Sequence, residues 1–369
     1  MKVPIAKPFI GTEETDAVVK VLASGQLAQG PTVAEFEGLF AAYHGVRYGV
    51  AVTNGTAALT AALMAHDIGR DDEVIVPSFT FFATASSVLS VGARPIFADI
   101  DPRTFCLDPD SVKSKLSRRT RAIMPVHLYG QPADMGAFER LCQNHGLILI
   151  EDSAQAHGAA IGKRRVGTWG TTAFSFYPTK NMTTTEGGMV LTNDGEIARR
   201  LRVIRNQGMN LQYHHERLGY NLRMTDPCAA IGIVQLGRLP NWTTQRIENA
   251  AFYNANLRGL TTPYVHEGVT HVYHQYTVRV GEAGDRDDIC ARLNERGVGV
   301  RVYYPTPIHR QPVFRQMQGY EDLGLTQTDA AAASVFSLPV HPLLTPVERQ
   351  YVVDEVNSVV EDIHNKRGK

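Results

Sequence analysis

Cysteine is scarce in this 369-residue chain, and the four present, Cys106, Cys142, Cys228 and Cys290, lie far apart with no CxxC pair. Such spacing builds neither a zinc knuckle nor the disulfide framework of a small secreted domain, so they read as core thiols in a reducing compartment. Neither sign of charge is in excess, because Lys plus Arg (37) balances Asp plus Glu (37). Without a chain-wide positive field, phosphate backbones and anionic lipid have little to hold, and no nucleic-acid partner is expected. No charge-free run of about 18 residues is available to span a bilayer, and the opening MKVPIAKPFI has no apolar leader core. A cytoplasmic protein without a membrane partner is the expectation. Internal repeats, low-complexity linkers and a GxGxxG turn after a predicted strand are also missing, and the last of these disfavours a Rossmann dehydrogenase. The 13 histidines, among them His157, His214, His215, His271, His274 and His309, are scattered without carboxylate partners, so no metal site is expected.

What the chain does have is ample core material, at 43% hydrophobic residues, in a length that exceeds one ordinary compact domain. Short apolar β-branched runs alternate with helical stretches, the pattern of an α/β fold with helices on both faces of a mostly parallel sheet. Seven strands are predicted at Arg47 to Thr53, Glu73 to Pro77, Arg94 to Ala98, Arg121 to Val126, Leu147 to Glu151, Ala173 to Phe176 and Gly188 to Thr192. Helices are expected over Thr56 to His66, Ala83 to Val91, Pro109 to Lys115, Met135 to His145 and Gly195 to Arg205, the third N-capped by Asp108. Another opens at Asp226 and should stop before Pro240. A helical stretch through Leu257, a strand at Tyr273 to Val280, a helix at Asp285 to Arg296 and a last helix from Thr345 follow. The change of character sets the expected division at 1–244 for a large domain and 245–369 for a smaller C-terminal α+β domain.

Ligands in open α/β sheets bind at the carboxyl ends of strands, so the residues leaving each strand carry the search. After the first strand come Asn54, Gly55, Thr56, Ala57 and Ala58, where a tight turn and free helix N–H groups suit a phosphate, although most such turns are only turns. The fifth strand runs into Asp152, a carboxylate that needs a cation or serves as an ion pair or N-cap; alternation sends the competing Glu151 to the opposite face. Lys180 follows a buried strand and precedes a Gly-rich loop, which lowers its amine pKa and makes it a nucleophile for carbonyl carbons rather than a solvated surface lysine. A strand-end carboxylate, a lysine 28 residues on, Ser175 five before it and a Gly-Thr helix start match the needs of pyridoxal 5'-phosphate. Phe81 or Phe82, in PSFTFFATAS, offers that planar cofactor an aromatic face.

The stretches SGQLAQGPTVAEFE, NGTAAL, DEVIVPSFTFFATA, PVHLYGQPADM, IEDSAQAHGA, FSFYPTKNMTTTEGGM, GYNLRMTD and YYPTPIH, spread over nearly the whole chain, are those of the DegT/StrS sugar-nucleotide aminotransferases, which this sequence resembles. The resemblance implies a fold type I, aspartate aminotransferase-like enzyme in which Lys180 bonds the cofactor, Asp152 pairs with the pyridine nitrogen and Gln155 approaches the phenolic oxygen. It makes Phe81 the stacking residue and Gly55, Thr56, Ala57 and Ser175 the phosphate ligands, with Asn221 donated across a homodimer. Tyr304 and His309, in or beside YYPTP, become substrate-side residues. The expected reaction moves an amino group from L-glutamate to a keto carbon, C4 before C3, of a nucleotide-diphosphate deoxyhexose, with pyridoxamine 5'-phosphate as the intermediate form. A sugar dehydratase or lyase on the same scaffold, or a non-catalytic regulatory relative, is the alternative. One departure is visible: Thr185 stands where the family has glycine, so a positive φ there would strain it.

Overall fold

The computed structural model describes residues 1–281 and 285–367. Seven strands form one sheet: β1 (Tyr48–Val52), β2 (Glu73–Pro77), β3 (Arg94–Ala98), β4 (Thr120–Ile123), β5 (Ile148–Asp152), β6 (Thr171–Ser175) and β7 (Gly188–Thr192), in the order β1-β7-β6-β5-β4-β2-β3. Pairing is parallel from β6 through β3, whereas β7 runs antiparallel to both β6 and β1. The sheet is therefore mostly parallel, as the sequence predicts, and its central strands are buried along their length, which is why they read as continuous apolar runs.

Helices α1 (Thr12–Ser24) and α2 (Pro31–His44) precede the sheet, and α3 (Gly55–Ala65), α4 (Ala83–Ser90), α5 (Pro109–Ser114), α6 (Met135–His145) and α7 (Gly195–Arg205) alternate with its strands. Their starts follow local chemistry. Asn54 caps α3 by accepting from Ala57 N–H, and Asp108, Asp134 and Asp194 do the same for α5, α6 and α7.

The helix expected to stop before Pro240 does not. Helix α8 runs unbroken from Asp226 to Asn256 with Pro240 inside it. A proline within a helix removes one hydrogen bond and costs about 3 kcal/mol. Burial of Leu236, Leu239, Trp242, Arg246, Asn249, Ala250 and Tyr253 along one stripe outweighs that loss. Upstream, Gly232 lies so close to Phe36 of α2 that a Cβ would stand 2.7 Å from the ring.

Beyond α8, a three-stranded sheet places Tyr276–Val280 between Leu260–Thr261 and Val335–Leu338. The strand predicted from Tyr273 begins only at Tyr276, because Tyr273 has a φ of 44°, which breaks an extended run. Helices α9 (Arg286–Glu295), α10 (Thr326–Ser334) and α11 (Pro346–Arg367) accompany this sheet, and Tyr253, Tyr276, Phe336, Val352 and Val356 share its core. No helix among the described residues is long and apolar enough to cross a membrane.

Candidate active site

A cavity of about 1250 Å³ opens where β1, β2, β5 and β6 end. Its wall brings together Gly55, Thr56, Ala57, Phe81, Asp152, Gln155, Ser175, Lys180 and Tyr304, drawn from five separate stretches of sequence. Two expected site residues stand outside it. His309 Nδ1 lies 2.7 Å from Ser78 Oγ, and its backbone N–H donates to the same oxygen, so the ring turns away behind β2. Asn221 is exposed on a short bridge to Asn206, while its neighbours Tyr220 and Leu222 face the cavity.

At the β1 end, Gly55 and Thr56 bring N–H groups without an intrahelical acceptor to the cavity wall, at the positive end of the helix dipole, while Ala57 N–H is taken by the Asn54 cap. Ser175 closes the cradle from β6. A Cβ on Gly55 would meet Ser175 Cβ at 2.6 Å, so only glycine lets the turn approach that strand.

Asp152 is the last residue of β5, and its backbone is locked by Asp152 N–H to Pro125 O and His127 N–H to Asp152 O, both at 3.0 Å. Thr84 Oγ1 donates to its Oδ2 at 2.8 Å, and Ala154 N–H donates to Oδ1 at 3.1 Å. Burial raises the carboxyl above its ordinary value, opposed by these two donors and by Lys180. Thr84 is a contact that sequence reasoning passed over, although it lies within the quoted DEVIVPSFTFFATA stretch.

Glu151 faces the other way and does other work. Its Oε1 accepts from Trp169 N–H, Gly170 N–H and Thr172 Oγ1, and its Oε2 accepts from Gly167 N–H and His127 Nε2. Because His127 Nδ1 accepts from Ala133 N–H, the ring proton sits on Nε2, directed at Glu151. Burial pushes this carboxyl up, and the hydrogen bonds from His127, Gly167 and Gly170 outweigh it, so its pKa falls below the ordinary carboxylate value.

Lys180 follows β6 by five residues, and among the described residues no hydrogen bond or ion pair engages its Nζ. Burial brings the amine down to about 8 against the opposing pull of Asp152. Gln155 has its amide orientation fixed, since Tyr129 N–H donates to Oε1 at 2.7 Å; Nε2 then donates to Tyr304 Oη at 3.1 Å, leaving a second N–H. Phe81 is 58% exposed although aromatic, with its ring 6.2 Å from that of Tyr304 across the cavity wall. Thr185 has a φ of 68°, the left-handed conformation that its family departure put at issue.

The DegT/DnrJ/EryC1/StrS aminotransferase family model matches residues 8–357. Among curated proteins the chain is 44% identical over 344 residues to a pleiotropic regulatory protein of Geobacillus stearothermophilus, covering 91% of each chain. It is 39% identical to a dTDP-3-amino-3,4,6-trideoxy-alpha-D-glucose transaminase of Streptomyces venezuelae, covering 95% of this chain and 93% of that one. Among solved structures, S. venezuelae DesV in complex with a ketimine intermediate superposes with a TM-score of 0.90 at 37% identity, covering 97% of this chain and 99% of that one. A strand-end carboxylate, a free lysine and an open helix N-terminus around one cavity agree with these matches: the chain belongs to the DegT/DnrJ/EryC1/StrS aminotransferase family.

Proposed function

We propose that this chain moves an amino group from L-glutamate to a keto carbon of a nucleotide-diphosphate hexose and so makes an amino sugar. The observation that carries the reading is Lys180, an amine brought down to about 8, unpartnered among the described residues and facing the same cavity as Asp152. Pyridoxal 5'-phosphate is the cofactor of this family, and when bound it supplies an electron sink for the negative charge that develops at the donor's α-carbon.

The residues present fit that group. Lys180 would hold its aldehyde carbon, Asp152 would keep the ring nitrogen protonated, and the remaining N–H of Gln155 would meet the phenolic oxygen. Gly55, Thr56, Ala57 and Ser175 would take the phosphate at the positive end of α3. Phe81 offers its ring face, and Tyr304 closes the substrate side. Lys180, when not covalently engaged, is the base that removes the proton from the donor's α-carbon and redelivers it.

We set the keto carbon at C3 in place of the C4 expected from sequence, on the strength of the S. venezuelae relative's name as a 3-amino transaminase. A homodimer is part of the proposal. Asn221 is exposed and does not line its own cavity, and Leu211 and Tyr213 are 70 and 83% exposed, apolar surface that a second copy would cover. Four free cysteines suit a reducing cytoplasm.

The regulatory name of the G. stearothermophilus protein favours a second reading, a sensor on the same scaffold, for which an unpartnered lysine beside a held carboxylate has no use. Borohydride reduction of the holoenzyme should fix the cofactor on the peptide holding Phe176 to Asn181, and a label on any other lysine refutes the chemistry. Product masses from 3-keto and 4-keto nucleotide sugars with glutamate decide the carbon. A sensor would make neither product, and a dehydratase would yield a sugar without the added nitrogen.

A further inference from the structure

His274 belongs to the segment Val272–Gln275, which the C-terminal part of the chain lays against the cavity. Val272 N–H donates to Gly130 O at 3.0 Å and Gln275 N–H to Tyr129 O at 3.1 Å, so the segment is stapled to the turn after β4. Asn181, the neighbour of Lys180, donates from Nδ2 to Val272 O at 3.0 Å. That bond settles the orientation of the amide: Oδ1 is the atom that faces His274 Nδ1 at 3.3 Å. An amide oxygen only accepts, so the imidazole proton sits on Nδ1 and Nε2 carries the lone pair. Among the described residues, Nε2 has one long contact, to Gln275 Nε2 at 3.5 Å.

Lys180 lines the same cavity and needs an acceptor whenever it is charged and detached from the cofactor. Asp152 attracts the amine, but Thr84 and Ala154 hold that carboxylate in its own place, and among the described residues no ion pair joins it to Lys180. Burial holds the His274 imidazole well below its ordinary value, and the charges of Lys180, Arg246 and His157 act in the same direction. It therefore keeps its lone pair through the range in which Lys180 gains and loses a proton. We infer that His274 Nε2 is the acceptor that receives the Lys180 ammonium when the lysine is released, a positioning residue for the reacting amine. The inference rests on the reading of Lys180 as that amine.

The test titrates Lys180 itself, by pulsed acetylation of the cofactor-free full chain across pH 6 to 11 (a range bracketing the ordinary lysine value), with the Lys180 peptide read by mass. The unaltered chain should give a midpoint near about 8. His274→Asn keeps a donor for Asn181 but has nothing at the Nε2 position; losing an acceptor destabilises the ammonium, so the midpoint should fall by about one pH unit. His274→Gln reaches the Nε2 position with an amide oxygen and should restore the unaltered midpoint. An unchanged midpoint in His274→Asn, or equal displacement in both variants, overturns the inference, the latter because it would assign the effect to the Asn181 contact. If either variant fails to fold, the unaltered chain labelled with [15N]histidine gives the answer. One unprotonated Nε2 resonance must shift as Lys180 titrates and lose that response once Lys180 is acetylated, and a ring protonated on Nε2 refutes the assignment. Borohydride labelling of a different lysine would sink the reading of Lys180 instead, so the two failures are distinct.

Discussion

Adjacent carboxylates on opposite faces of β5 should give opposite phenotypes when each is neutralised. In Glu151→Gln the amide keeps one oxygen for Trp169, Gly170 and Thr172 but turns an NH2 toward the donors Gly167 N–H and His127 Nε2. His127 has no escape through its other tautomer, because Nδ1 is committed to Ala133 N–H. Two hydrogen bonds to a buried charge are lost, at roughly 1.5 to 3 kcal/mol each, so the variant should be destabilised by roughly 3 to 6 kcal/mol, a large part of the typical ~5 to 15 kcal/mol that holds a protein folded. In Asp152→Asn the oxygen still accepts from Ala154 N–H, and the new NH2 meets Thr84 Oγ1, which can rotate to donate to Thr80 Oγ1 at 3.3 Å instead. Stability should change by less than about 1 kcal/mol, while kcat falls ~10²-fold or more because the charge that holds the ring proton is gone. Urea midpoints at fixed protein and saturating cofactor, where ligand linkage is constant, give one axis and single-turnover rates the other. The pH dependence follows the same logic. The folded-state pKa of Glu151 is lowered, so its contribution is present above the ordinary carboxylate value and lost as pH falls from there through the lowered folded-state value. Glu151→Gln should flatten that acid limb. A stable, inactive Glu151→Gln, or an unstable, active Asp152→Asn, would show the roles reversed.

Thr185→Gly should raise stability by ~0.5 to 1 kcal/mol, since relief of a left-handed β-branched residue exceeds the entropy that glycine adds to the unfolded chain; a lower urea midpoint would contradict the strain. Lys180→Ala should fold and lose turnover, with cofactor retention read by absorbance, and turnover within tenfold of the unaltered enzyme would exclude Lys180 as the base. Asn221→Ala should weaken cofactor retention, and heterodimers of Lys180→Ala with Asn221→Ala chains should regain one tight site per dimer. No recovery in verified heterodimers would place both residues in the same-chain site or leave Asn221 a loop residue.

The sheet and most of the cavity wall were legible because their signals are local: β-branched runs followed by Asn54-Gly55-Thr56, by Asp152 and by Ser175 with Lys180. What stayed hidden depends on partners distant in sequence. Thr84 acts on Asp152 across 68 positions, and the proton on His274 is fixed by Asn181 across 93. The stretch YYPTPIH brings Tyr304 to the cavity, but Ser78, 231 positions from His309, draws that ring away. Pro240 is a local stop signal that the burial stripe of α8 overrides, and no window around the exposed proline contains the surfaces that bury the stripe.

The unbroken α8 also limits how this architecture can be cut and recombined. Its first residue, Asp226, caps α2 by accepting from Gly30, Thr32 and Val33 N–H, and its last turns carry Tyr253 into the C-terminal core. A chimera joined near residue 245 would splice two relatives inside a continuous helix, where inserting or deleting one residue rotates everything beyond it by ~100°. Trp242, Arg246 and Tyr253 would then swing off the faces they fill. Exchange between relatives belongs further on, at Leu257–Gly259, where the backbone leaves the helix in extended form and Gly259 takes a φ of 71°. There one half can be replaced without turning the other.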